Sequence, residues 1–216
     1  MFLNTIKRIS LWIGLFLPII TMAASKEVVA LNEHLYDDYP WMLTYYYGNT
    51  YYDPLVRVVT FHNLNRWPEY LQSIELMHTL DKQNILRHLV SPIVGVVQFG
   101  AVFALRDGKK EPPIYELDPY FAFRWTGLPW NQYVLTSVAI GEGISYVTSV
   151  PYAERRNNNH TKRLLNFLML EASFALPEHP RWQLVVRVHH RSGAFGLYGA
   201  GNTGSNNVGL AIRYLF

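Results

Sequence analysis

Cysteine is absent from the 216 residues. That excludes disulfides, thiolate metal sites and a cysteine nucleophile. Charge is scarce as well: Asp, Glu, Lys and Arg make up 16% of the chain, while 50% is apolar and 15% aromatic. So aromatic a chain with so little charge is not disordered, and its length fits one domain or at most two. The formal net charge of +3 does not point to nucleic acid. Setting aside Lys7 and Arg8, which lie in a targeting segment, the 19 basic residues become 17 against 16 acidic ones, or +1.

Met1 to Arg8 is short and basic, Ile9 to Ile20 is apolar, and Thr21-Met22-Ala23-Ala24 is small. This order predicts a secretory signal peptide over residues 1–24, cleaved near Ala23 or Ala24. A membrane anchor needs roughly 20 apolar residues, and this run is shorter and contains Pro18. With no cysteine after it, the chain is not a lipoprotein. Residues 25–40 are expected to form an N-terminal periplasmic segment ahead of a domain over 41–216.

No later stretch is long and apolar enough for a spanning helix. The chain instead runs in alternating segments of about ten residues, rich in aromatic and β-branched side chains and separated by turn signals. The predicted strands are 41–48, 69–80, 89–105, 115–126, 133–146, 164–176, 181–195 and 207–216. Most connections alternate between short turns and longer polar loops. An even number of such strands predicts an all-β fold, an eight-stranded antiparallel transmembrane β-barrel of the outer-membrane kind.

The last strand carries the clearest pattern. Val208, Leu210, Ile212 and Tyr214 share one face, while Gly209, Ala211, Arg213 and Leu215 share the other. A strand between lipid and a lumen must alternate this way. The terminal Phe216, with apolar residues at alternate positions before it, resembles the assembly signal of outer-membrane barrels. Trp182, Leu184, Val186 and Val188 likewise oppose Gln183, Arg187, His189 and Arg191. Glu171 falls opposite Arg187 when the turn centres near Glu178–His179. Glu75, Arg124, Glu171, Arg187 and Arg213 are therefore expected to form a lumen network, since a barrel of eight strands is filled by side chains and has no pore.

One segment departs from the apolar wall: Val188-His189-His190-Arg191-Ser192-Gly193-Ala194-Phe195. His190 and Ser192 continue the outward parity, and His189 and Arg191 the inward one. Residues two apart on a strand are about 6.6 Å apart along one face, within reach of a His–Ser hydrogen bond. A histidine beside a serine can take the hydroxyl proton and activate the oxygen as a nucleophile. The strand climbs roughly 20 Å from Trp182 to His190, which sets the pair near the outer leaflet. The same His-x-Ser spacing also suits a polar rim at the strand top.

His190-Arg191-Ser192 on the penultimate strand of an eight-stranded barrel resembles the lipid A 3-O-deacylases (the PagL-type family). More broadly, Gly141-Glu142-Gly143-Ile144-Ser145-Tyr146, the stretch 164–180 and His189–Phe195 look like exported barrels grouped with them. The resemblance implies an esterase in the outer membrane of a Gram-negative bacterium, removing an acyl chain from lipid A without a cofactor. Ser192 would be the nucleophile and His190 the general base.

The chain departs from that pattern in two places. The family's third member, a Glu on the following strand, has no counterpart, because no Asp or Glu follows Glu178. Asn206 or Asn207 occupies its place, and Asn206 keeps the outward parity. An amide can orient an imidazole but does not stabilise an imidazolium as a carboxylate does. The family's Asn after the serine is replaced by Gly193, leaving backbone amides of Gly193 or Ala194 for an oxyanion hole. Glu142 is a weaker alternative for the third group, two strands away and flanked by glycines that could reset its face through a bulge. His189 is a weaker base than His190 because its parity is wrong.

No metal site is expected, since no two histidines have ligand spacing on one element, and there is no Gly-x-Ser-x-Gly elbow. The loop 154–163 carries Arg155, Arg156, Lys162 and Arg163, which suit lipopolysaccharide phosphates or simply form a solvated charge run. Two functions follow: a lipid A ester hydrolase, or a non-catalytic structural or lipopolysaccharide-binding barrel. The expected partners are lipopolysaccharide, the outer membrane and its barrel-assembly machinery, and not nucleic acid.

Overall fold

The computed structural model describes residues 32–216 except 33, 52, 109, 110, 158, 159 and 202. The expected signal peptide and residues 25–31 lie outside the described residues. Eight strands form one closed barrel in chain order: β1 Trp41–Tyr51, β2 Arg66–Thr79, β3 Val96–Gly108, β4 Glu111–Trp125, β5 Leu135–Val147, β6 Leu164–Ala175, β7 Trp182–Ser192 and β8 Gly204–Leu215. Every neighbouring pair is antiparallel, and β8 closes on β1 with Leu43 opposite Tyr214 and Thr50 opposite Asn207. Among the described residues no helix is long and apolar enough to cross a membrane. The strands do that.

The sidedness of the wall is inverted relative to a soluble protein. Leu43, Tyr45, Ile74, Leu76, Phe103, Leu184, Leu210 and Ile212 are all exposed on the outside. Arg106, Arg124, Arg187, Arg191 and Arg213 are among the largest fully buried side chains. Water would penalise this arrangement, because apolar area is left uncovered and charge is desolvated. Lipid around the barrel removes the first penalty, and ion pairing in the lumen offsets the second.

The five expected lumen residues meet. Glu171 faces Arg187 across β6–β7 and accepts from Arg187 at 2.6 Å and from both terminal nitrogens of Arg213 at 2.8 and 2.9 Å. Arg124 also donates to it. Glu75 takes two further bonds from Arg187 at 2.9 and 2.8 Å, and one from the Tyr120 hydroxyl. Gly141 and Gly143 give Tyr120 its space, since a Cβ at either would collide with that residue.

Both mouths are filled. A short helical segment, 34–38, enters the end where β1 begins. Its Tyr36 is fully buried, bonded to Ser137 and Gln183 at 3.1 and 3.2 Å, with Arg124 over its ring. At the opposite end α3, Tyr152–Asn157, lowers a buried Glu154 onto Arg191 and Ser205 at 2.9 and 2.8 Å.

The strand ends differ from expectation for local reasons. Residues 89–95 are not strand: Asn84 caps a helix, α2 Ile85–Val90, by accepting from the Leu86 amide. Strand replaces most of the connection expected over 106–114: β3 runs to Gly108, which pairs with Glu111 at the start of β4. Strand β7 stops at Ser192 rather than residue 195, because Ala194 and Phe195 take positive φ values of 43° and 57°. Strand β8 begins three residues earlier than expected, at Gly204.

Candidate functional site

A polar cluster interrupts the apolar outer wall across four consecutive strands. Pairing aligns Glu142 (β5), Leu168 (β6), His190 (β7) and Asn206 (β8) in one row, and Ile144, Asn166, Ser192 and Gly204 in the next. Asn166, His190 and Ser192 are half-buried and lie on the outward parity of their strands. Directly opposed residues have Cβ atoms about 5 Å apart, so His190 neighbours Asn206 and Ser192 neighbours Asn166.

His190 Nδ1 and Asn206 Oδ1 are 2.7 Å apart. The orientation of the amide is fixed independently: Asn206 Nδ2 donates to the Asp53 carbonyl at 2.7 Å, so its oxygen faces the ring. A carbonyl oxygen accepts only, hence Nδ1 carries the proton and Nε2 is left as an acceptor. This choice resolves the two asparagines. Asn207 points inward and accepts from Thr50 at 2.7 Å. Among the described residues no hydrogen bond joins Ser192 to the ring.

The other predicted residues divide. The Gly193 amide is committed to the Thr203 carbonyl at 3.0 Å, which corrects its expected place in an oxyanion hole: β7 ends there, and that bond closes the hairpin. Ala194 follows Gly193 in the left-handed region. Glu142 does face outward. Pairing of β5 with β6 runs without a shift from Leu135 to Tyr146, so no bulge turns it. It interacts with the Asn166 side chain rather than with His190. His189 is buried in the lumen against Glu116 and the ring of Phe167, which removes it from the outer wall. Arg155 and Arg156 sit exposed on α3, with Arg156 over the Trp67 ring at 5.2 Å. Lys162 and Arg163 are also exposed, Lys162 beside Gly199. Asn166 shares the outward parity of Leu168 on β6, but its partner Ser192 becomes a neighbour only through strand register, so the sequence alone gives it no role.

The β1–β2 loop is drawn over this part of the wall. Helix α1, Leu55–Val59, lies against β7 and β8, and Val188 and Asn206 are both only 6% exposed although they face outward. Asp53 organises the loop by accepting from the Asn65 amide at 2.6 Å, the Asn65 side chain at 3.1 Å and Arg57 at 2.8 Å. Burial pushes its carboxyl up, but these donors outweigh burial and hold its pKa below the usual value. A depressed carboxylate stabilises the fold above its unfolded pKa and loses that contribution as pH falls through the folded one. Below about pH 4 the loop is expected to release Asn206, lowering amide protection over 53–65, relative to the intrinsic exchange rate at each pH, with the barrel intact. Equal protection at pH 7 and pH 3 would contradict this.

The fold and cluster define a lipid-facing wall of a closed antiparallel barrel that carries an oriented imidazole beside a serine. No family model and no curated protein matches the chain. Among solved structures, the outer membrane enzyme PagL is 14% identical, with 80% of this chain and 98% of that one covered at a TM-score of 0.47. Neisserial surface protein A is 9% identical over 82% and 96% of the two chains, also at 0.47. Ail, the attachment invasion locus protein of Yersinia pestis, is 12% identical over 82% and 99%, at 0.37.

Proposed function

We propose that the chain is an outer-membrane ester hydrolase that removes an acyl chain from lipid A, delivered there after signal-peptide cleavage. The observation that carries this reading is the His190–Asn206 hydrogen bond on the lipid-facing wall, with Ser192 on the same strand face. A polar side chain facing lipid is costly, and five on adjacent strands form a site rather than a scatter.

In this reading Ser192 Oγ attacks the ester carbonyl while His190 Nε2 takes the hydroxyl proton. The imidazolium keeps its Nδ1–H on Asn206. Negative charge on the tetrahedral oxygen is met by the Asn166 side-chain amide and the Ala194 N–H, in place of the side-chain donor absent at Gly193. Collapse expels the sugar hydroxyl, which receives the proton from His190. Water, deprotonated by the same nitrogen, then releases the fatty acid from Ser192. Arg155, Arg156, Lys162 and Arg163 lie near the outer mouth and serve the phosphates of lipopolysaccharide.

The lack of a hydrogen bond between Ser192 and His190 favours a second reading, a non-catalytic lipopolysaccharide-binding barrel. Catalytic contacts often tighten only with substrate bound, so we give precedence to the hydrolase. Mass spectrometry of lipid A from Gram-negative cells separates the two. Cells making the wild-type barrel are expected to lack one acyl chain, and cells making Ser192→Ala to retain it. Intact lipid A alongside well-folded wild type sinks the hydrolase.

A further inference from the structure

Inside the barrel, on the side of the wall away from Ser192, a second cluster has no part in ester hydrolysis. Glu116 and Asp118 are two residues apart on β4 and both face inward, and His189 reaches them from β7 across the lumen. His189 Nε2 lies 2.8 Å from Glu116 Oε1 and 3.6 Å from Asp118 Oδ2. One ligand atom from each of the three falls within 4.8 Å of the others.

Two independent features mark this cluster as incomplete. Asp118 is 0% exposed, yet neither of its oxygens receives a hydrogen bond of normal geometry. The nearby Ser145 hydroxyl donates to Glu116 instead, at 3.0 Å. A buried carboxylate left without a donor is strongly disfavoured. The charge balance is also uneven. Among the described residues, Glu75 and Glu171 share their half of the lumen with three guanidiniums, Arg124, Arg187 and Arg213. The half toward α3 holds Glu69, Glu116, Asp118 and Glu154 against only Arg106 and Arg191. That half is short of two positive charges.

We propose that Glu116, Asp118 and His189 bind a single divalent cation of the zinc class inside the barrel. One imidazole nitrogen with two carboxylates suits a borderline metal better than calcium, which takes oxygen alone. Ligand atoms around a tetrahedral zinc are about 3.4 Å apart, from bonds near 2.1 Å. The 3.6 Å between Asp118 and His189 already matches, and the 2.8 Å between Glu116 and His189 needs only a small opening. Arg106 and Ser145 hold Glu116, and Phe167 packs against the His189 ring, so two of the three side chains are already positioned. The ion ties β4 to β7, strands that share no backbone pairing, so it acts as a staple. With both mouths filled, it enters during folding.

The test is to refold the full barrel in detergent with Zn2+ or with EDTA, remove free metal, and measure zinc per folded chain. Folding is followed by heat-modifiable gel mobility. Wild type is expected to keep about one zinc, and Asp118→Asn or His189→Gln roughly tenfold less or lower still. Wild type that folds and keeps almost none overturns the site. So does Asp118→Asn that folds and keeps as much as wild type. X-ray absorption on zinc-loaded wild type makes the answer independent of how the variants fold. One imidazole among oxygen ligands supports the site, and two or more imidazoles place the metal elsewhere and overturn it.

Discussion

Glu171→Ala is expected to destabilise the barrel by about 3–5 kcal/mol, the range for breaking a buried ion pair by removing one partner. Three guanidiniums converge on this carboxylate, and all four side chains are fully shielded. Alanine would leave Arg124, Arg187 and Arg213 with Glu75 alone, and only two of them reach it. Water entering the cavity could solvate them in part. It would not restore a countercharge. The contrast is Arg57–Asp53, where Arg57 is 49% exposed; Arg57→Ala is expected to cost at most about 1 kcal/mol. Urea unfolding of the two variants, read by gel mobility, checks the difference. A Glu171→Ala midpoint no lower than that of Arg57→Ala would mean that the lumen network does not hold the barrel together.

One contact of that network, Glu171 with Arg187, was legible in the sequence because neighbouring strands convert residue counting into contact. Arg124, Arg213 and Glu75 instead reach their partners across the lumen. Once the β6–β7 turn is centred near Glu178, the pairing of Glu171 with Arg187 follows from arithmetic. The inward faces of Arg124 and Arg213 follow from parity. Contacts that cross the lumen have no such rule. Glu116 and His189 belong to β4 and β7, which are not neighbours, so ligand spacing on one element could not reveal them. Glu154 looked like part of a solvated loop, yet α3 folds it into the mouth. Local signals decided the strand ends. Leu89, Val90, Ile93 and Val94 read as strand by apolarity, but Asn84 caps a helix ahead of them. At the candidate site, parity set His190, Ser192 and Asn206 on one face. The link from Asn206 to Asp53 joins residues 153 apart in the chain, and only the closure of β8 on β1 brings them together.

Ser192→Ala and His190→Ala are each expected to lower lipid A deacylation by about 10⁴-fold or more, and the double variant to be no worse than either alone. The non-additivity follows from the proposed chemistry, because the serine is a poor nucleophile without its base and the base has no proton to take without the serine. Asn206→Ala should cost less than either, as loss of the orienting third member of such a unit does. It leaves the base in place but frees Nδ1 and lets the ring choose the wrong tautomer. Asn166→Ala should lower kcat by about 10²- to 10³-fold with little change in KM, as expected for a donor that matters when charge develops on the oxygen. Kinetics on purified lipopolysaccharide separate these roles, provided that each variant first shows the gel mobility of a folded barrel. Losses that multiply between Ser192 and His190 would mean that the two residues do not act as one unit. The His190–Asn206 pair would then be a structural clasp holding the β1–β2 loop to the wall.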